Sequence, residues 1–208
     1  MSLKKAAPMT TALDADERQL PRDVPGLIAG LAHADPMVRR WSARDLAHSP
    51  DAVPALLERL AVETETSVLD VILTSLTCIG DNAAVTGLIE CLRSEDAYLR
   101  NAAIKSLQQL PQQVEPYMEA VLHDPDPDMR IFAVNVLESL RHPQVEAWLL
   151  EVIAQDPHVN VCATAVDLLG EVGSEAAMVP LQNLRERFAH EPYIQFAADL
   201  ALQRITAT

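Results

Sequence analysis

Apolar residues recur along this chain at helical spacing. Val24, Leu27, Ile28 and Leu31 form an i, i+3, i+4, i+7 stripe that Val53, Leu56, Leu57 and Leu60 and then Val85, Leu88, Ile89 and Leu92 repeat, with Val114, Met118, Val121 and Leu122 as a close variant. A stripe of that kind buries one face of an amphipathic helix. Two later helices run from Val145 through Trp148, Leu149 and Ile153, and from Met178 through Leu181 and Leu184. After each comes a second helix marked by a leucine, and these markers (Leu46, Leu76, Leu107, Leu137, Leu169 and Leu202) stand 30, 31, 30, 32 and 33 residues apart. Three residues before each marker are Ala43, Leu73, Ile104, Val134, Val166 and, in the last, Asp199. The pattern predicts six copies of a two-helix unit.

Polar residues punctuate the copies. Asp126-Pro127-Asp128-Met129-Arg130 opens one second helix, and Asp35-Pro36-Met37-Val38-Arg39, Asp96-Ala97-Tyr98-Leu99-Arg100 and Asp156-Pro157-His158-Val159 echo it. Asp suits an N-cap, because its carboxylate accepts free amides of the first turn, and Pro at the next position has no amide to strand. The Arg four residues on is expected to reach the capping Asp of a neighbouring unit and tie the two together. Unit two departs from the pattern with Thr66-Ser67-Val68-Leu69. In unit five Val161 takes the place of Met129 only if two residues are inserted after the Asp-Pro. Gly80-Asp81, Pro111 and Gly173-Ser174 mark the turns between units.

A two-helix unit cannot bury both its faces alone, so the units must stack into a curved superhelix, with first helices outside and second helices lining the concave side. Asp199, in place of an apolar stacking residue, is expected to mark the end of the stack. Residues 1–20 lack an apolar period and read as a flexible N-terminal arm, with a short helix near Asp14 to Gln19 that could cover the first unit.

The run from Asp126 to Arg130 followed by Ala133, Val134 and Leu137, and the run from Val172 through Gly173, Ser174 and Pro180 to Leu181, resemble short HEAT repeats of the phycobilisome-lyase type. The resemblance covers about residues 22–205. It implies an all-α, right-handed α-α superhelix over residues 21–208. Arrays of this type mostly serve as binding scaffolds, and the resemblance also implies an alternative: a subunit of a bilin chromophore lyase or isomerase, with a tetrapyrrole-binding groove and a partner subunit.

Composition narrows the chemistry. A formal net charge of −14 lacks the concentration of Lys and Arg that phosphate binding needs, which speaks against nucleic acid and against the basic groove of HEAT-like DNA glycosylases. Cys78, Cys91 and Cys162 are odd in number and set among apolar residues, so they read as small buried side chains rather than a disulfide framework. With no charged-then-apolar leader and no apolar run near 18 residues, the expectation is a cytoplasmic chain that neither enters nor crosses a membrane.

The histidines (His33, His48, His123, His142, His158 and His190) fall near helix ends in different units without His-x-x-His or Glu-x-x-His pairing, so no metal site is expected. Asp124-Pro125-Asp126-Pro127-Asp128 looks like the start of a calcium loop but has Met129 where Gly is needed and Asn135 where Glu is needed. No Gly-x-Ser-x-Gly or phosphate-binding glycine loop occurs. These readings predict a non-catalytic protein–protein interaction scaffold, without a cofactor, that binds another protein on its concave face. The residues expected to face that partner are Arg40, Trp41, Arg44, Asn101, Lys105, Gln108, Ile131 and Asn135. Asp70, Val71, Thr74 and Glu138 belong to the same row, and Trp41 has a second reading as packing within the first repeat or under the arm. The cations Arg39, Arg40, Arg44 and Lys105 point to an acidic segment on the partner.

Overall fold

The structure, a computed structural model, describes residues 21–207. The arm expected over residues 1–20 lies outside the described residues. Twelve α-helices follow in order: α1 (Val24–Gly30), α2 (Pro36–Asp45), α3 (Val53–Leu60), α4 (Thr66–Ile79), α5 (Asn82–Glu90), α6 (Ala97–Leu107), α7 (Pro111–Leu122), α8 (Pro127–Leu137), α9 (Val145–Gln155), α10 (Val159–Val172), α11 (Met178–Arg187) and α12 (Pro192–Ala207). They form an α-solenoid of paired helices, α1 with α2 through α11 with α12. Second helices pack in an unbroken row, α2 on α4, α4 on α6, α6 on α8, α8 on α10 and α10 on α12. Contact along the first helices is thinner, above all between α1 and α3 and between α7 and α9. Closer packing along the second helices is what a stack with second helices on its concave side requires.

The stripes make the core. Val53, Leu56, Leu60, Val85, Leu88, Leu92, Val114, Met118 and Leu122 are buried on first helices, and five of the marker leucines (Leu46, Leu76, Leu107, Leu137 and Leu169) on second helices. Leu202, the sixth, is half-buried. Of the cysteines only Cys162 is buried; Cys91 is half-buried and Cys78 exposed, because Cys78 falls on the solvent side of the last turn of α4. Asp199 pairs with Arg185 at 2.9 Å, which ties α12 to α11 of its own unit.

The capping logic holds. The carboxylates of Asp23, Asp35, Asp81, Asp96 and Asp126 each accept an amide of the helix they precede. Gly80 ends α4 in the left-handed region at φ 58°, a conformation costly for a residue with a Cβ. Pro116 lies inside α7, which continues through it to Leu122.

The arginine tie exists but its partner differs from the expected one. The capping Asp is occupied with its own helix, and the arginine reaches instead the side chain two residues before the next unit's cap. Arg39 donates through Nε and Nη2 to Glu63, both at 2.8 Å, and through Nη1 to the carbonyls of His33 and Ala34. Arg130 likewise donates to Asp156 at 2.6 and 3.0 Å and to the carbonyls of Asp124 and Pro125. Arg100 holds the carbonyls of Ser94 and Glu95, but its guanidinium lies over the Phe132 ring, 5.2 Å from the centroid, and Arg93 takes Asp124.

The side chain two residues before the cap has a second task. His33, Glu63, Ser94, Asp124 and Asp156 each accept the amide of the capping residue that follows. That regularity corrects unit five. Its cap is His158, so Asp156-Pro157 corresponds to Asp124-Pro125 rather than Asp126-Pro127, and Val161 matches Met129 with no insertion. Cys162 then stands where the arginine would. Its thiol donates to the Asp156 carbonyl, and Arg187 from α11 supplies the missing guanidinium by donating to Ile153, Ala154 and Asp156 carbonyls.

Candidate functional site

The concave surface follows from one register. Counted from the caps Asp35, Glu65, Asp96, Asp126 and His158, and from Glu191 before α12, the fifth residues are Arg40, Asp70, Asn101, Ile131, Ala163 and Phe196. The ninth are Arg44, Thr74, Lys105, Asn135, Asp167 and Leu200, and the second are Met37, Ser67, Tyr98, Asp128, Asn160 and Tyr193. Two, five and nine lie on one helix face. All six second positions are exposed, and at five and nine only Ile131, Ala163 and Asn135 are half-buried.

The expected partner-facing residues therefore divide. Arg40, Arg44, Asn101 and Lys105 are exposed. Ile131 packs against the core edge, and Trp41 is half-buried in unit one. Gln108 turns inward, since its Nε2 donates to the Asn135 carbonyl at 2.9 Å and so stitches α6 to α8. Ser75 makes the matching stitch from α4 to the Ala43 carbonyl on α2 at 2.8 Å. Gln108 is thus an inter-unit tie, and its amide is already satisfied without a ligand.

Charge on this face is uneven. Unit one presents Arg40 and Arg44, the latter donating to Asp45 at 3.0 and 3.2 Å, with Arg22 reaching the same carboxylate. Burial alone would raise the Asp45 pKa, but the two guanidinium groups overcome it and hold the carboxyl below its ordinary value. Lys105 adds a third cation beside a groove of about 270 Å³ between α4 and α6, which Asp70, Thr74, Cys78 and Gln109 also line. Further along, a groove of about 220 Å³ between α8 and α10 is lined by Glu138, Asp167 and Glu171 with no cation. Tyr193, Phe196 and Leu200, outside the set of residues expected from the sequence, complete the face at unit six; extending the Arg40/Arg44 register two units further would have found them.

Reactive groups are few. Burial raises the thiols of Cys91 and Cys162 to about 11, with Glu90 adding to the rise at Cys91 and Arg187 opposing it at Cys162. Both are therefore protonated near neutral pH and are poor nucleophiles. Two histidines make local contacts: His33 accepts an amide, and His142 stacks on Trp148 at 5.2 Å and lies 3.3 Å from Glu115. Among the described residues no group of three His, Cys, Asp or Glu side chains could hold a metal ion, and no helix is long and apolar enough to cross a membrane.

The sequence pattern of the HEAT repeats matches residues 24–108 and 114–203. Over 89 residues the chain is 35% identical to the bilin biosynthesis protein PecE of Nostoc sp. (strain PCC 7120), covering 39% of this chain and 35% of that protein. PecE of Mastigocladus laminosus is 34% identical over 88 residues, covering 39% and 33%. The chain thus spans about a third of the length of the curated relatives it matches. Among solved structures, the complex of CpcE and CpcF of phycocyanin lyase from Nostoc sp. PCC7120 aligns over 97% of this chain and 100% of that one, at 20% identity and a TM-score of 0.39. A HEAT-like repeats protein of the archaeon Thermococcus onnurineus NA1 aligns over 88% and 87%, at 16% identity and a TM-score of 0.48. These relatives correct one expectation. The sequence pointed to a chain with no part in catalysis, whereas both curated relatives are named for bilin biosynthesis, which favours the lyase alternative.

Proposed function

The chain belongs to the HEAT-repeat family, and within it we propose that this protein is a subunit of a bilin chromophore lyase or isomerase that works with a second protein held along its concave face. The observation that carries this reading is the 34–35% identity to two bilin biosynthesis proteins. The concave face offers chemistry that suits the substrate. A bilin is a conjugated open-chain tetrapyrrole bearing carboxylates, and the first half of the face presents Arg40 and Arg44 on α2, the helix that also carries the half-buried Trp41, with Lys105 two second helices further on. Guanidinium groups pair with carboxylates, and an indole stacks on flat conjugated rings.

In this reading the chain binds and orients while the nucleophile comes from the partner. The Cys91 and Cys162 thiols are held up at about 11 and lie off the second-helix face positions, so neither would attack a bilin. Cys78, exposed on the groove that Lys105 also lines, is the one cysteine a pigment there would meet, and pigment attachment retained in C78S is the expected result. The bound partner would supply the reacting group and close the groove over the pigment.

The test is co-expression with a bilin-producing pathway and a candidate partner, followed by absorbance of the purified protein. Visible absorption co-purifying with the chain, and lost on substituting Arg40 and Arg44 by Glu, is the expected result. A colourless protein across a range of bilins, with and without partner, would remove the lyase reading.

A further inference from the structure

The second half of the concave face differs from the first in sign and in polarity. On α12, Tyr193, Phe196 and Leu200 stand 53%, 65% and 36% exposed, an apolar stripe at i, i+3 and i+7. It is separate from the face by which α12 packs on α10, which is made of Ile194, Ala197, Ala198, Ala201 and Ile205. Nor does it lie in the register by which α10 receives α12. That register runs through Gly170, which lies against Ala201, and the residue of α12 at the position of Gly170 is the polar Gln203. The exposed stripe is therefore not a stacking surface; Tyr193 and Leu200 occupy the face positions of Met37 and Arg44. An exposed aromatic and aliphatic cluster on such a face marks a contact site.

Carboxylates adjoin it. Asp167 and Glu171 on α10 and Glu138 on α8 line the 220 Å³ groove, and Asp128 lies at the second position of α8. Positions two, five and nine of α8, α10 and α12 carry no Lys or Arg; Arg204 of α12 lies off them, its Nη1 beside Gly170, and leaves Glu138, Asp167 and Glu171 in excess over it. The Tyr193 hydroxyl donates to Asp167 at 2.7 Å, which fixes the aromatic ring beside the acidic groove.

We infer that α8, α10 and α12 form a docking surface for a basic segment of a partner protein that carries an apolar anchor. A Lys or Arg of the segment enters the groove between α8 and α10 and meets Glu138, Asp167 and Glu171, while an apolar side chain covers Phe196 and Leu200. Neighbouring helices sit about 8–10 Å apart and the groove lies about one and a half spacings from α12, so the two anchors are about four residues apart in an extended chain. Charge complementarity selects this occupant, since an acidic segment would be repelled here and drawn to the Arg40/Arg44 end. The inference is independent of bilin chemistry, and its test contains no pigment.

The probe is a labelled twelve-residue peptide of alternating Lys and Leu, followed by fluorescence anisotropy against the full chain. E138K/E171K and F196S/L200S should each weaken binding about tenfold or more, while D51K/E58K, which makes the same charge change on and beside α3, should alter it less than about twofold. Circular dichroism confirms that each variant is folded. Equal loss in D51K/E58K would mean that the peptide reads only the overall charge of −14, and would overturn the inference. So would an absence of binding to the wild-type chain. A dimer of the chain alone that E138K/E171K dissociates would assign the surface to a second copy and overturn it as well.

Discussion

Glu63 shows how a single carboxylate holds two units together. It lies in the loop before α4, its side chain fully buried, and receives Arg39 from unit one, Arg59 from its own unit and the amides of Thr64 and Glu65. Burial by itself would push its pKa up, but the two guanidinium groups and two amides overcome that and hold it far below the ordinary 4.5. A carboxyl with a depressed folded-state pKa stabilises the protein at neutral pH, and that contribution declines as pH falls below the unfolded value. Glu63→Gln should therefore lower stability at pH 7, and its deficit against wild type should shrink by up to about 1.4 kcal/mol per pH unit below about 4.5. Urea titrations of both proteins from pH 7 to 3 measure this; a deficit constant with pH would rule the linkage out. Arg130→Ala strands Asp156, whose side chain is 5% exposed, and should cost about 3–5 kcal/mol. Arg100→Ala leaves no buried carboxylate behind and should cost about 1 kcal/mol. Melting temperatures that rank the two variants in the opposite order would show that the ties are not what separates them.

At the scale of the helix, the apolar period and the Asp-Pro punctuation set where each element starts and which side it buries. Leu137, 1% exposed in mid-array, belongs to the core cluster, so truncation to Ala should cost about 2–5 kcal/mol. Leu202, its half-buried counterpart on α12, should cost clearly less. Chemical denaturation of both variants checks this, and similar losses would mean that the terminal unit is packed as tightly as the central ones. What the period left out at this scale was the anchor of the register. Unit five looked two residues too long because Asp156-Pro157 resembles Asp126-Pro127, yet the cap is His158 and Asp156 has the role of Asp124. Identical dipeptides occupy different positions in the turn, and only the amide each carboxylate accepts tells them apart.

Across the whole molecule, stacking turns positions 30 to 33 residues apart into rows, and rows into a face with a direction. Its first half is cationic through Arg40, Arg44 and Lys105, and its second half is anionic and apolar. Arg44→Glu with Lys105→Glu should abolish capture of any partner held by the first half while leaving the melting temperature within a few degrees, because both side chains are exposed. Pull-downs with the wild-type partner set retained would show that this half is not used. The chain by itself determined the helices, their pairing, the repeat and most of the core, because those depend on local periodicity and capping, which neighbouring residues specify. It also marked Arg40, Arg44 and Lys105 as surface cations, but Arg39, expected with them, is buried against Glu63 and does not face a partner. Only the tertiary structure decided that Gln108 is spent on the Asn135 carbonyl, that the arginines reach Glu63 and Asp156 rather than the capping Asp residues, and that Tyr193, Phe196 and Leu200 stand uncovered on the concave face. Each of these depends on which side chain the next unit brings alongside, and that is set by the stacking of units about 30 residues apart in sequence.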